Sequence, residues 1–596
     1  DFTEGTDYAD FIRVHQHLSV AVFTTGAELI RRVVLAEWLR ISDNFEMMTR
    51  REWLRSNRFE VAVGALTVLA IALRFYLIGS KTVWLDEAFS IWLARQPLWE
   101  MYDWLVRIDQ HPPLYYTLLD GWIAIFGDLQ GPVRGLSALC SALAVPVFYA
   151  GVRRLADKPT ALIAVFILAI SPFHIRYAQE ARMYGLLTLA VAAALYCVAV
   201  ILRDRNAPRR VWWGLAISQA AVMLTHNTAA VYFPVALNLA LVLIFFNAKS
   251  QRSKDAEEKS AESAFTSSGF IRCWLIFQGV ALLLWSPWAW PFVVQSVGVD
   301  RQFWLWPPTA QMVWDTFRNF NFAFLPDDFP FQSGWMALYA GLALLGIWRL
   351  RRTSGLWLLG SLLIVPIAIA LLVSLRRPIF YDRTLIWLTL PYYALIAAGI
   401  RAMGEGLGKK KTETQISQIE KISQKKSAVQ NLRNLRLLRN LRSDAGVLIQ
   451  TGLLAVILVL SGVSLTGYYF WFEKEGWEEA AAYVAENAQP DDLIVFNASW
   501  VQIPFEYYYR HYDLDTELRG LPVDLFDRGV LEPLMETSDI PHLHALVNAR
   551  PRVWLVYSHD WYTDAGKIIP REIGRSLRET SRKRFTGLQV IRYEAR

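Results

Sequence analysis

The stretch RFEVAVGALTVLAIALRFYLIGSKTVWLDE, residues 58–87, runs from a long apolar segment straight into an acidic pair, Asp86-Glu87. A helix needs roughly 20 mostly apolar residues to cross about 30 Å of hydrocarbon, and residues 58–78 meet that length. Ten further stretches of the same kind follow at 132–152, 158–174, 185–202, 211–228, 229–247, 272–294, 333–350, 356–375, 384–400 and 446–471. With 54% hydrophobic residues and 25 Trp in 596, the chain reads as a polytopic α-helical membrane protein of about eleven spans, not a soluble enzyme. The acidic pair then lies in a loop, 79–131, at the membrane surface. Two carboxylates there indicate a site rather than packing.

Orientation follows from Lys and Arg, which are retained in cytoplasmic loops. Placing residue 57 inside also places Arg50-Arg51, Arg153-Arg154, Arg203 to Arg210, Lys249 to Lys254, Arg349 to Arg352 and Arg401 to Arg442 inside. The 79–131 loop is then outside, and Leu114 to Phe126, too short to span, is predicted to be an interfacial helix. The expected organisation is a cytoplasmic N-terminal extension at 1–57, a membrane module at 58–400, a basic cytoplasmic linker at 401–445, a last span at 446–472 and an extracytoplasmic domain at 473–596. A multi-pass protein of the plasma (inner) membrane is implied, with membrane lipids around it and no nucleic-acid partner.

Residues 401–444 carry eleven Lys or Arg against four acids. Their Ile and Leu recur mainly every three residues, a spacing that drifts around a helix, so a solvated linker is preferred to an amphipathic surface helix. The polar stretch from Lys249 to Ser268 reads the same way. Residues 473–596 show a helix-like run from Trp477 to Glu486 and strand-like runs at 493–496, 553–557 and 589–593. That pattern predicts a small α/β domain, long enough to bury its own core. Its aromatic patch, Phe505 to Tyr509, reads as core first and sugar-binding surface second. Asn497-Ala498-Ser499 fits a glycosylation sequon but follows a strand directly and carries no weight. Cys140, Cys197 and Cys273 lie within or beside spans, so no disulfide framework is expected. No signal peptide is expected either, and Met47-Met48 reads as a start, with the preceding segment as an extension.

Some charges break the orientation rule. His174, Arg176, Tyr177, Gln179, Glu180, Arg182 and Tyr184 cluster at the outer end of the third span. Arg376, Arg377, Tyr381, Asp382 and Arg383 cluster between the ninth and tenth. Ionisable groups at membrane depth are costly and mark a pathway or a site. Arginine's planar fork suits phosphate, and a sugar on a polyprenyl phosphate presents its phosphate at headgroup depth. Phosphate leaves readily once its charge is neutralised, so the demanding step is activation of an acceptor hydroxyl, which one carboxylate can perform.

The ordered set Trp84-Leu-Asp86-Glu87-Ala, His111-Pro112-Pro113-Leu-Tyr115-Tyr116, Ser171-Pro172 through Arg176 to Tyr184, and Asp382-Arg383 before Leu390-Pro391 resembles the bacterial GT-C glycosyltransferases. The likeness is to the family-39-like group related to protein O-mannosyltransferases and the lipid A aminoarabinose transferase, over roughly residues 58–400. The trailing span and α/β domain resemble that group too. The resemblance implies a polyprenyl-phosphate-linked sugar donor, a lipid, glycan or protein acceptor, and inverting transfer at the outer face. It implies Asp86 as catalytic base, Glu87 supporting the acceptor or a divalent cation, Mg or Mn, bound with Asp86, and His111 near the reacting centre. Arg176, Arg182 and Arg383 would hold the donor phosphate, and Tyr177, Glu180, Tyr184, Tyr381 and Asp382 would line the substrate cavity. The chain departs from the group at Arg383-Thr384, where its members commonly show Arg-Tyr.

Simpler roles stand beside these. Asp86 and Glu87 also suit a helix N-terminus, and His111 before two prolines also suits a turn. Glu180 suits a salt bridge with Arg176 or Arg182, Trp84, Tyr115, Tyr116 and Trp122 suit an interfacial belt, and His226-Asn227 would reach the cavity only from the outer end of the fifth span. The alternative class is a lipid-linked-sugar transporter or flippase. It predicts repeated halves and charges near the bilayer midplane, whereas the charges here gather at outer ends.

Overall fold

The computed structural model describes residues 56–109, 111–204, 206–252, 260–298, 307–405, 428–524, 534–548 and 550–596. Each of the eleven expected spans coincides with a helix. Among the described residues, seven helices are long and apolar enough to cross a membrane: Gln130–Leu155, Tyr184–Arg203, Asn227–Asn247, Gly269–Ser296, Ser354–Ser374, Asp382–Glu405 and Gly446–Trp471. A bent pair, Lys158–Ile170 and Pro172–Ala178, meeting at 55°, makes an eighth when its halves are counted as one broken span. The protein is therefore multi-pass, but the count of eleven is not met by length and composition. The Arg58–Phe75 helix carries Arg58, Glu60 and Arg74, the Arg209–Met223 helix has only 15 residues, and the 19-residue Gln332–Leu350 helix opens on Gln332, Ser333 and Gly334 and ends on Arg349. Leu114–Phe126 is a short apolar helix of 13 residues, as expected.

The bend has a local cause. Pro172 has no N–H to continue the ladder and restricts the residue before it. Ser171 leaves the helical region and its side chain caps the next helix at the His174 N–H, 3.4 Å away. Carbonyls freed at the end of the first half need donors. Arg74, fully buried, supplies them: Nη1 donates to Ala169 O at 3.1 Å and Nη2 to Leu168 O at 3.2 Å, while Nε donates to Ser141 Oγ at 2.8 Å. The second half, Pro172–Ala178, leads into the turn Gln179 to Met183, which carries Glu180 and Arg182.

Close helix packing fixes other parts of the module. A Cβ on Gly346 would meet Leu395 O at 1.9 Å, and one on Gly399 would meet Leu342 O at 1.8 Å. Each glycine thus receives the other helix's backbone, the way small residues let membrane helices approach. Polar glue adds to this where Gln219 and Gln278 exchange amide hydrogen bonds at 2.9 and 3.0 Å.

The C-terminal domain is a five-stranded sheet in the order β2-β1-β3-β5-β4, with β1 Leu493–Phe496, β2 Glu517–Gly520, β3 Arg552–Ser558, β4 Leu577–Phe585 and β5 Leu588–Ala595. β1 pairs parallel with β2 and β3, and β5 pairs antiparallel with β3 and β4. β1, β3 and β5 are the three strands legible from apolar runs. β2 (ELRG) and β4 (LRETSRKRF) carry charge and lie at the edges. Asn497 is buried, with Nδ2 donating to Ser558 O and Thr563 Oγ1 and Oδ1 accepting from Ser558 N, so the sequon is internal. Phe505, Tyr507 and Tyr509 are buried, as the core reading expects.

Residues 1–55 of the N-terminal extension, residues 406–427 of the basic linker and residues 253–259 of the polar stretch lie outside the described residues. The linker's remainder differs from expectation: the helix leading into the last span begins at Ala428, so residues 428–445 continue that helix. Gly399→Leu is expected to destabilise the module by at least the ~1–3 kcal/mol typical of overpacking, read as a lower melting temperature in detergent, because backbone rather than a side chain stands in the way.

Candidate active site

The segment after the first helix turns back and starts a new helix at Leu85, with Trp84 extended ahead of it. Asp86 and Glu87 both fall in its first turn, where negative charge is favoured. Successive helical residues point about 100° apart, so the two acids face different surroundings.

Glu87 turns inward and is fully buried. Arg134 grips it bidentately, Nε to Oε1 at 2.7 Å and Nη2 to Oε2 at 2.9 Å. The Lys474 ammonium donates to Oε2 at 2.7 Å, and the Ala181 N–H donates to Oε1 at 2.9 Å. Burial pushes this carboxyl up, but Arg134 and Lys474 outweigh it and bring it down to about 2. Arg134 also donates to the carbonyls of Ile78, Lys81 and Thr82, which pins the loop backbone ahead of the acids.

Asp86 turns toward the arginines. Its Oδ2 accepts from Arg383 Nη1 at 2.7 Å, and the side chain is 22% exposed. Burial raises its carboxyl, yet Arg383, Arg182 and His111 together hold it below the usual carboxylate range. Arg383 lies over the rings of Tyr381 and Trp84, at 4.8 and 5.6 Å. Arg182 Nη1 donates to Asp86 O, Ser90 Oγ and Tyr116 OH at 3.2–3.4 Å, and its Nη2 meets His111 Nε2 at 3.4 Å. Guanidinium only donates, so His111 Nε2 accepts and its Nδ1 proton goes to Asp109 Oδ1, 2.9 Å away.

The remaining expected residues divide. Tyr184 is buried between Tyr177 and His226, and the His226 ring is 5.4 Å from that of His111, so His226 does reach the cluster. Arg176 stands apart from Asp86. It pairs with Glu180 at 3.4 Å and lies over Tyr177, Phe324 and Phe472. Glu180 is buried within 3.8 Å of Lys474, so its structural role prevails over cavity lining. Asp382 is held by Asn319 Nδ2 and the Arg383 N–H, each at 2.6 Å, and helps shape the Arg383 turn.

Glu87 requires a correction. Both of its oxygens are taken by protein cations and an N–H, so it has nothing to offer an acceptor or a metal. Asp86 alone faces two guanidinium groups, and among the described residues no three His, Cys, Asp or Glu side chains cluster to hold a metal ion. The pair does not fit a divalent cation. Arg134, Lys474, Asp109 and Ser90 are the contributors that the sequence reading missed, and Tyr116, read first as a belt aromatic, is buried against Arg182. Arg134 gave a usable signal, being an arginine at the outer end of the second expected span. Lys474 gave none.

Four buried polar atoms around this cluster have no hydrogen-bond partner among the described residues: Trp84 Nε1, Glu180 Oε2, Arg182 Nε and His226 Nε2. Buried polar groups are rarely left so, and three of the four are donors. The cluster is therefore suited to a polar, acceptor-rich ligand.

Residues 110–256, less than half of the chain, match the family model described as dolichyl-phosphate-mannose-protein mannosyltransferase. Among solved structures, ArnT from Cupriavidus metallidurans in the apo state is similar with a TM-score of 0.54 at 15% identity, and the same protein bound to undecaprenyl phosphate with a TM-score of 0.52 at 14% identity. Each alignment covers 89% of this chain and 97% of the other. No curated protein sequence matches. The chain has the GT-C glycosyltransferase fold that its ordered motifs resemble.

Glu87→Gln would leave Arg134 and Lys474 without their counter-charge. Breaking a buried pair costs about 3–5 kcal/mol, read as a lowered melting temperature. The pH dependence has a definite sign. The folded-state pKa is depressed, so this contribution is fully present above the ordinary carboxylate value of 4.5 and is lost as pH falls toward about 2. Thermal melts of the wild type should show no loss from this group between pH 8 and pH 5.

Proposed function

We propose that this chain is an integral-membrane glycosyltransferase. It moves a sugar from a polyprenyl-phosphate-linked donor to a hydroxyl of a lipid, glycan or protein acceptor, with inversion, at the outer face of the plasma membrane. The observation that carries this reading is the Asp86–Arg383 ion pair beside Arg182: one carboxylate and two guanidinium groups at the head of a broken span. The retention of basic loops on the opposite side supports the outer orientation. The undecaprenyl phosphate bound by the similar ArnT supports the carrier class.

In this scheme Arg383, already placed over Tyr381 and Trp84, receives the donor phosphate and spreads its charge, with Arg182 behind it. Arg176, which lies over Phe324 and Phe472 and pairs with Glu180, would meet the carrier's side of the same phosphate. As Arg383 engages phosphate, Asp86 loses part of its counter-charge and becomes a stronger base. The acceptor hydroxyl gives its proton to Asp86 while its oxygen bonds to the anomeric carbon. The bond from that carbon to the phosphate oxygen breaks on the opposite side, so configuration inverts and polyprenyl phosphate departs. His111, oriented by Asp109, and His226 Nε2 supply polar contacts at the edge of this centre.

A flippase also uses interrupted helices, and the bent pair is one. It does not require a carboxylate at Asp86. Purified protein with a labelled polyprenyl-phosphate sugar should lose about 10²–10⁴ in turnover on Asp86→Asn, with donor binding retained. Undiminished turnover would remove the base, and undiminished lipid translocation without any transfer would favour the flippase. Arg383→Ala should weaken donor binding by about tenfold or more, the worth of a hydrogen bond between charged groups, and unchanged donor affinity would refute the phosphate role. The acid limb of kcat/KM should lie below the usual carboxylate range, because Asp86 is held ionised in the free enzyme.

A further inference from the structure

The Leu85–Ala94 helix has a second working face. Asp86 and Ser90, one turn apart, face the arginines. Trp92 and Arg95, on another side, line a cavity of about 350 Å³ together with Glu506, Tyr507 and Arg510 from the C-terminal domain. That volume falls in the range of small-ligand sites, about 300–1,000 Å³. The charges in its wall are unevenly matched. Arg95 and Arg510 share the single carboxylate of Asp128, at 3.2 and 2.9 Å, and each guanidinium has more donors than that carboxylate uses. Glu506 forms no ion pair among the described residues. It accepts from Gln502 on its own helix, and burial and then the like charge of Asp524 push its carboxyl up.

Such a wall selects against most occupants. An apolar segment would bury Glu506 and the spare guanidinium donors without partners, which is costly. An anion would face Glu506, and a cation would face Arg95 and Arg510. A neutral polyhydroxyl gives donors to Glu506, acceptors to the arginines and C–H faces to the ring of Trp92. We infer that this cavity binds a neutral saccharide, the part of a glycan acceptor remote from the hydroxyl that is modified. Only the word acceptor rests on the proposed function; saccharide binding stands on the cavity alone. Binding there uses the same helix that carries Asp86, so remote binding energy would orient the base.

The test uses the full chain in nanodiscs and ligand-observed NMR with neutral gluco-, manno- and galacto-configured trisaccharides. At least one should bind, and Glu506→Gln and Trp92→Ala should each weaken it by about tenfold with the melting temperature of Glu506→Gln unchanged. Asp86→Asn should bind the saccharide as the wild type does. Binding by none of the three, or equal binding by both cavity variants, overturns the inference. Absence of saccharide binding together with loss of transfer in Asp86→Asn would overturn it while leaving the proposed function standing. Saccharide binding together with full transfer in Asp86→Asn would do the reverse.

Discussion

A single carboxylate, Glu87, is the joint on which the rest is assembled. Taken out of water, it must be paired and hydrogen-bonded on every side, and each partner comes from a different part of the chain. Arg134 belongs to a spanning helix, Ala181 to the corner after the broken span, and Lys474 to the connection between the last span and the C-terminal domain. Four segments distant in sequence are thereby fixed around one point. Asp86, its neighbour, inherits that fixed position without sharing any of those bonds.

The C-terminal domain is therefore part of the site's frame. Lys81 donates to the carbonyls of Tyr469 and Phe472, Thr82 Oγ1 to Glu475 O, and the Val83 N–H to Tyr508 OH. Tyr507 OH reaches Asp128 O, and Arg510 reaches Asp128 Oδ2. The loop that carries the acids is thus held from above by the domain and from below by Arg134. Pre-organisation of this kind keeps a base in place without cost at the moment of reaction.

Much of this was legible in the sequence because membranes make charge placement expensive. Arg182 and Arg383 stood out as cations where the loop rule wants none, Asp86 as half of an acidic pair at the membrane surface, and the three meet in space. The division of labour between Asp86 and Glu87 was not legible. Adjacent acids look alike in a string, and only the helical rotation and a partner nearly 400 residues away decide which turns inward. Span counting suffered from the same blindness. The runs 211–228 and 58–78 lie on helices that fall short of the length or charge limits for a crossing, and Arg74, one of those charges, serves the carbonyls of a different helix. The edge strands β2 and β4 were missed because their charges interrupt the apolar runs that mark the interior strands.

Those charges have a consequence for a protein concentrated in two dimensions. Arg578, Arg582, Lys583 and Arg584 line the outermost strand β4, whose free backbone groups would otherwise template a sixth strand from a neighbouring molecule. Four cations against the single carboxylate of Glu579 make such stitching repulsive. The opposite border, β2, is only four residues long and carries Glu517 and Arg519, too short a seam for lateral polymerisation. Both borders of the sheet are thereby poor templates for strand addition.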